Sequence, residues 1–229
     1  MPDRIPQQSS SSIVLVGSLN PKIFQPEWFA RQGLLANEQA ESAQIRVIVP
    51  EIAQFETEQF NLQVTLDRFI VTSTPNTDPV LLRDLVQGAF FILEHTPITA
   101  MGLNRHMHFP LESEDTWHQV GDKLAPKDPW SAALETGTGL RSLYITTARG
   151  LSTGGWREKD YPGACYTVRV EPSTQVKFGV YFETNEHYPA PKDEPLSTLM
   201  KILGERWEES QSYASRIAKH VLDWAGTTG

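Results

Sequence analysis

The stretch Thr99-Ala100-Met101-Gly102-Leu103-Asn104-Arg105-His106-Met107-His108-Phe109 decides the fold class. Successive side chains of an extended chain point to opposite sides. Thr99, Met101, Leu103, Met107 and Phe109 therefore share one face, with Arg105 the exception, and Asn104, His106 and His108 share the other. An apolar face opposite a polar one reads as a strand packed on one side and open on the other.

Upstream of it, Asp78-Pro79 opens a helix, because Asp suits the cap and Pro the first helical position. Leu82, Leu85, Val86, Ala89 and Leu93 follow at helical spacing, Phe90, Phe91 and Ile92 widen that face, and the helix ends before Pro97. Residues 45–57 and 60–74 read as two long strands. Pro50 places the first at an edge or bends it there, since proline lacks a ladder donor. In the second, Leu62, Val64 and Leu66 alternate with Gln63, Thr65 and Asp67, and the phase slips at Phe69-Ile70-Val71 as at a bulge. Ile13 to Val16 is a short buried strand, residues 1–12 a flexible polar leader, and Trp28 and Phe29 anchor a short helix plugging one end of the core.

Downstream, a short helix spans Asp115 to Leu124, and Pro126 and Pro129 then break the chain. Residues 140–147, 166–171 and 176–184 are three further strands, the last with Val176, Phe178, Val180 and Phe182 inward. Gly150 to Gly163 is a long connection of the kind that carries function. The strongest element is a helix over residues 195–225, whose seam is Leu196, Met200, Leu203, Trp207, Ser210, Ala214, Ile217, Val221 and Trp224.

The expected architecture is α+β: a mainly antiparallel sheet of about six to eight strands, with two long helices packed on one face and the other face left for binding. Residues 13–229 form a single domain. Strands followed by a helix recur in the two halves; an old duplication would make them two β-β-α lobes, 13–109 and 130–229, and simple α+β convergence is the alternative.

Twenty basic residues stand against 28 acidic ones, a net charge of −8. That field repels phosphate backbones and anionic lipid, so neither nucleic acid nor a membrane is an expected partner. The one cysteine, Cys165, lies in an apolar run and reads as a buried filler. With no internal disulfide and no apolar run of about 20 residues, the cytoplasm is the expected address.

His106 and His108 carry the chemical lead. At i and i+2 of a strand both imidazoles face one way and can reach one metal ion, zinc or iron, with Glu112, Glu114, Asp115 and His118 following to complete the ligands. Glu183 to Pro189 brings a carboxylate, an imidazole and a phenol close together at the end of a strand, a set suited to acid–base work. Ser173 lacks the Gly-x-Ser-x-Gly elbow, and no phosphate-binding glycine loop occurs. Trp117, Trp130, Trp156 and Trp224 are the expected contact surface, because large aromatics dominate interfaces.

The leading expectation is a non-catalytic protein-binding or assembly subunit of a bacterial-type cytoplasmic complex, with a protein partner or a second copy of itself and no cofactor. Two others stand beside it: a metal-dependent enzyme built on His106 and His108, and a small-molecule sensor with its pocket between sheet and helices.

Overall fold

The computed structural model describes residues 4–75, 77–147 and 161–226. They form one nine-stranded sheet in which every pairing is antiparallel, in the order β2-β3-β4-β5-β1-β6-β9-β8-β7. The strands are β1 Gln8–Gly17, β2 Gln44–Val49, β3 Ile52–Glu56, β4 Phe60–Thr65, β5 Arg68–Ser73, β6 Ile98–Pro110, β7 Leu143–Thr146, β8 Cys165–Pro172 and β9 Gly179–Pro189. The α-helices are α1 Pro26–Arg31, α2 Asn37–Glu41, α3 Val80–Ile92, α4 Glu114–Leu124, α5 Asp128–Leu134 and α6 Pro195–Gly226.

The strand count exceeds expectation because each of the two long strands is a hairpin. Pro50 and Glu51 form the turn between β2 and β3, so Pro50 ends a strand instead of bending one. The phase slip in residues 60–74 is a second reversal, at Leu66-Asp67, where the Thr65 hydroxyl donates to Asp67 Oδ1 at 2.6 Å. Leu66, expected inward, is a loop tip and 56% exposed.

The leader is also corrected. Ser9 to Ser12 are the first half of β1, in the middle of the sheet, with Ser11 and Ser12 buried. Hydroxyls hold a buried strand when their hydrogen bonds are met, and here Ser11 Oγ donates to Gln211 Oε1 on α6 at 2.6 Å.

The alternation along β6 holds. Met101, Leu103, Met107 and Phe109 are buried, and their cross-strand neighbours Leu15, Ile13, Tyr188 and Phe182 are buried with them. Ile13, Leu15, Met101 and Leu103 share one core with Leu82, Val86 and Phe90 of α3 and Leu199, Leu203 and Trp207 of α6. Met107, Phe109, Val170 and Phe182 form a second core with Ala214, Ala218 and Leu222 of α6 and Val120 of α4. Between the two lies a belt of buried polar groups: Ser11, Thr184, Glu186, Arg206, Ser210 and Gln211. Arg206 Nη2 meets Glu186 Oε1 at 3.2 Å within it.

The α3 start agrees with its sequence signal, since Asp78 Oδ1 accepts from Val80 N–H at 3.0 Å. Helix α6 runs unbroken through Gly204 for 32 residues, about 48 Å. Its seam drifts: Ala218, Leu222 and Ala225 are buried near its C-terminus, whereas Trp224 is 54% exposed. A 3.5-residue reading slips by about 20° per heptad against a straight helix, enough to turn the expected seam residues outward after four heptads. Helix α5 starts with Pro129 near its N-terminus, where the sequence reading had only a break.

The two halves repeat an order. Strand β1, short helices, the meander β2 to β5 and helix α3 are followed by strand β6, short helices, the meander β7 to β9 and helix α6. Each meander ends beside the first strand of its own half, and the two first strands pair at the centre.

Candidate functional site

The polar face of β6 lies against the matching faces of β1, β9 and β8. Cross-strand register sets Ser10 opposite His106, His106 opposite Glu183, His108 opposite Tyr181 and Glu183 opposite Arg169. An open groove of about 500 Å³ runs over this surface, lined by Ser10, Thr72, His106, His108, Arg169, Glu171, Thr174, Gln175 and Tyr181 among others.

Its floor is a directed chain of hydrogen bonds. Asn185 Nδ2 donates to Asn104 Oδ1, and Asn104 Nδ2 donates to Ser12 Oγ at 3.1 Å. Ser12 Oγ lies 3.2 Å from His106 Nε2, His106 Nδ1 lies 2.8 Å from the Tyr181 hydroxyl, and that hydroxyl donates to Glu183 Oε2 at 3.1 Å. Tyr181 has one proton and gives it to Glu183, so His106 carries its proton on Nδ1 and accepts from Ser12 at Nε2. Arg169 closes the chain as an ion pair with Glu183. Burial lowers the His106 pKa, with Glu183 opposing and Arg169 adding to the shift, and burial also lowers that of His108. Burial, followed by the Glu183 charge, raises the Tyr181 pKa.

His108 is arranged differently. Its Nδ1 is 2.8 Å from Ser173 Oγ. Ser173 Oγ accepts from the amides of Gln175 and Val176, so its proton goes to His108. This leaves His108 with N–H at Nε2, a donor with no hydrogen bond among the described residues. Arg169 Nε is likewise buried without a hydrogen-bond partner. Arg169 packs over the Tyr181 ring at 5.3 Å and over that of Tyr144, itself 60% exposed, at 6.0 Å.

The residues expected to join the histidines lie elsewhere. Glu114 and His118 pair with each other on α4 at 3.8 Å, and α4 enters the helix-side core through Val120. None of Glu112, Glu114, Asp115 and His118 lines the groove. Among the described residues no group of three or more His, Cys, Asp and Glu side chains is placed to hold a metal ion. The Glu183–Pro189 segment is strand, not a turn, so its groups divide: Glu183 and His187 lie on the groove face and Glu186 and Tyr188 on the core face.

The tryptophans divide too. Trp130 is 61% exposed on α5, and Trp224 is exposed on α6 with Lys123 5.8 Å over its ring. Trp117 is half-buried and donates from Nε1 to the Gly179 carbonyl at 3.1 Å. Trp156 lies outside the described residues. Tyr181, Arg169 and Tyr144 were missed by sequence reasoning. The outward position of Tyr181 on a clean strand was the one available signal, because register across three strands is what brings these side chains to the histidines.

No family matches the sequence, and no curated protein matches it significantly. Among the described residues no helix is long and apolar enough to cross a membrane.

Proposed function

We infer that the chain is a non-catalytic binding subunit that meets a partner protein with its uncovered sheet face, at the groove of His108, Arg169 and Tyr181. The observation that carries this reading is the unspent donor His108 Nε2 in an open groove, beside Arg169, which packs over the exposed ring of Tyr144. Tyr and Arg are the residue types that supply most interface energy, and donors without partners favour a surface that brings acceptors. Glu171 lies 3.6 Å from Arg169 and Glu183 pairs with it, so the groove favours neutral acceptors such as backbone carbonyls over an anion.

The same geometry argues against chemistry here. His106 has both ring nitrogens engaged within the sheet, and the hydroxyl on its Nε2 belongs to Ser12, which is buried, so the pair has no open approach for a substrate. The Ser173 oxygen takes two backbone N–H bonds, which lowers its value as a nucleophile. The shared order of the two halves supports descent from a duplicated strand–meander–helix unit, with α3 and α6 as equivalent helices on one side of the sheet.

A tagged chain, expressed in its own cell, retains its partner or a second copy through purification. The double variant Tyr144→Ala/His108→Ala loses that species with little change in melting temperature, whereas Trp130→Ala and Trp224→Ala keep it. Loss through the tryptophan variants alone moves the contact to the helices and overturns the reading.

A further inference from the structure

Arg105 breaks the apolar face of β6 and turns toward the helices. Its Nη1 donates to Ser11 Oγ at 2.8 Å and its Nη2 to Ser9 Oγ at 3.0 Å. No carboxylate pairs with it among the described residues, and burial alone lowers its pKa. Arginine stays ionised even so. A partly buried cation without a counter-charge keeps an unbalanced charge at the edge of the core, so its retention calls for an explanation.

Beside it stands Gln211 of α6, 9% exposed. Its carbonyl oxygen accepts from Ser11, which leaves the amide NH₂ to find another acceptor. Among the described residues none is present: Gln211 Nε2 and Arg105 Nε are both buried and both lack a hydrogen-bond partner there. The two residues line one solvent-open depression of about 290 Å³ between the sheet and the start of α3, with Ser212 at its edge and Pro79, Val80 and Trp207 as its apolar wall. Glu208 also lines it, but its carboxylate is held by Arg83 at 3.2 Å.

We propose that this depression binds the carboxylate of a small organic acid, with Arg105 Nε and Gln211 Nε2 as its donors. One guanidinium balances one negative charge, which suits a carboxylate better than a phosphate dianion. The apolar wall receives the body of the acid, and the volume lies at the lower end of small-ligand sites. Both donor atoms are buried beneath the depression, so binding requires the Gln211 amide and the Arg105 side chain to turn toward the ligand. The site lies on the core side of the sheet, opposite the groove of His108, and does not depend on what that groove binds.

The test uses benzoate, its neutral isostere benzamide and inorganic phosphate on the full chain, followed by the Nε–H resonance of Arg105 and by melting temperature. Benzoate shifts the resonance saturably and raises the melting temperature, while benzamide and phosphate do neither. Gln211→Leu weakens benzoate at least tenfold, as expected for losing a hydrogen bond to a charged group. Arg105→Gln abolishes the response; if that variant fails to fold, the Gln211→Leu result still decides. No shift with benzoate at millimolar concentration, an equal response to benzamide, a response to phosphate alone, or unchanged affinity in Gln211→Leu each overturns the proposal.

Discussion

His106 Nδ1 and the Tyr181 hydroxyl, 75 positions apart in the chain, meet at 2.8 Å on the groove face of the sheet. The contact sets the tautomer of the imidazole and couples the serine–asparagine half of the network to its Glu183–Arg169 half.

Because burial lowers the His106 and His108 pKa values below the ordinary 6.5, the unfolded chain binds more protons than the folded one at mildly acidic pH. The stability they contribute is present above about pH 6.5 and is lost as pH falls toward their lower folded values. The urea midpoint is therefore lower at about pH 5.5 than at about pH 7.5, and His106→Gln shrinks the difference. Equal midpoints at the two pH values in the parent chain would show that these imidazoles are not held neutral.

Tyr181→Phe keeps the ring and removes the hydroxyl that His106, Glu183 and Arg169 share. The expected loss is about 1–3 kcal/mol, because His106 Nδ1–H is left half-buried without its acceptor. Denaturation measures the loss, and imidazole nitrogen shifts report whether the Nδ1–H tautomer persists. A silent variant with an unchanged tautomer contradicts the proton assignment.

Arg206 and Glu186 are 4% and 1% exposed, and their ion pair lies in the polar belt between the two cores. Arg206→Ala strands the Glu186 carboxylate and costs about 3–5 kcal/mol. The paired apolar replacement Arg206→Met/Glu186→Leu recovers most of that loss, since no buried charge is then left unpaired and Glu209, the second partner of Arg206, is 43% exposed and keeps its water. If the double variant is as unstable as the single one, the belt contributes shape and not charge.

Gly17 ends β1 where the register with β6 shifts. A methyl there would lie 2.1 Å from the Pro97 carbonyl oxygen and 2.9 Å from Ile98 Cα, both backbone atoms. Gly17→Ala thus forces the two central strands apart, and a loss above about 2 kcal/mol is expected from such overpacking. Gly204→Ala, which meets the movable end of Gln87, is the milder control. Equal midpoints for the two variants would refute the close approach.

The faces of β6, the cap of α3 and the extent of α6 were legible in the sequence, because side-chain alternation and helical spacing are imposed by the local backbone. Residues 45–57 and 60–74 looked like single strands for the same reason: apolar alternation continues across a two-residue reversal with little local mark. Ser9 to Ser12 carry no hydrophobic signal at all. Arg105 and Gln211 meet the hydroxyls of Ser9 and Ser11, and Asn104 and His106 meet that of Ser12, all from distant parts of the chain.

The sequence by itself determined that His106 and His108 face away from Met107 and Phe109, and that Arg105 intrudes on the apolar side. Only the tertiary structure decided what each of them meets. Register over β1, β6, β9 and β8 brings Tyr181, Glu183 and Arg169 to the histidines, and the packing of α6 brings Gln211 to Arg105. Periodicity is a property of neighbouring residues, whereas partners are chosen by pairing between segments far apart in the chain.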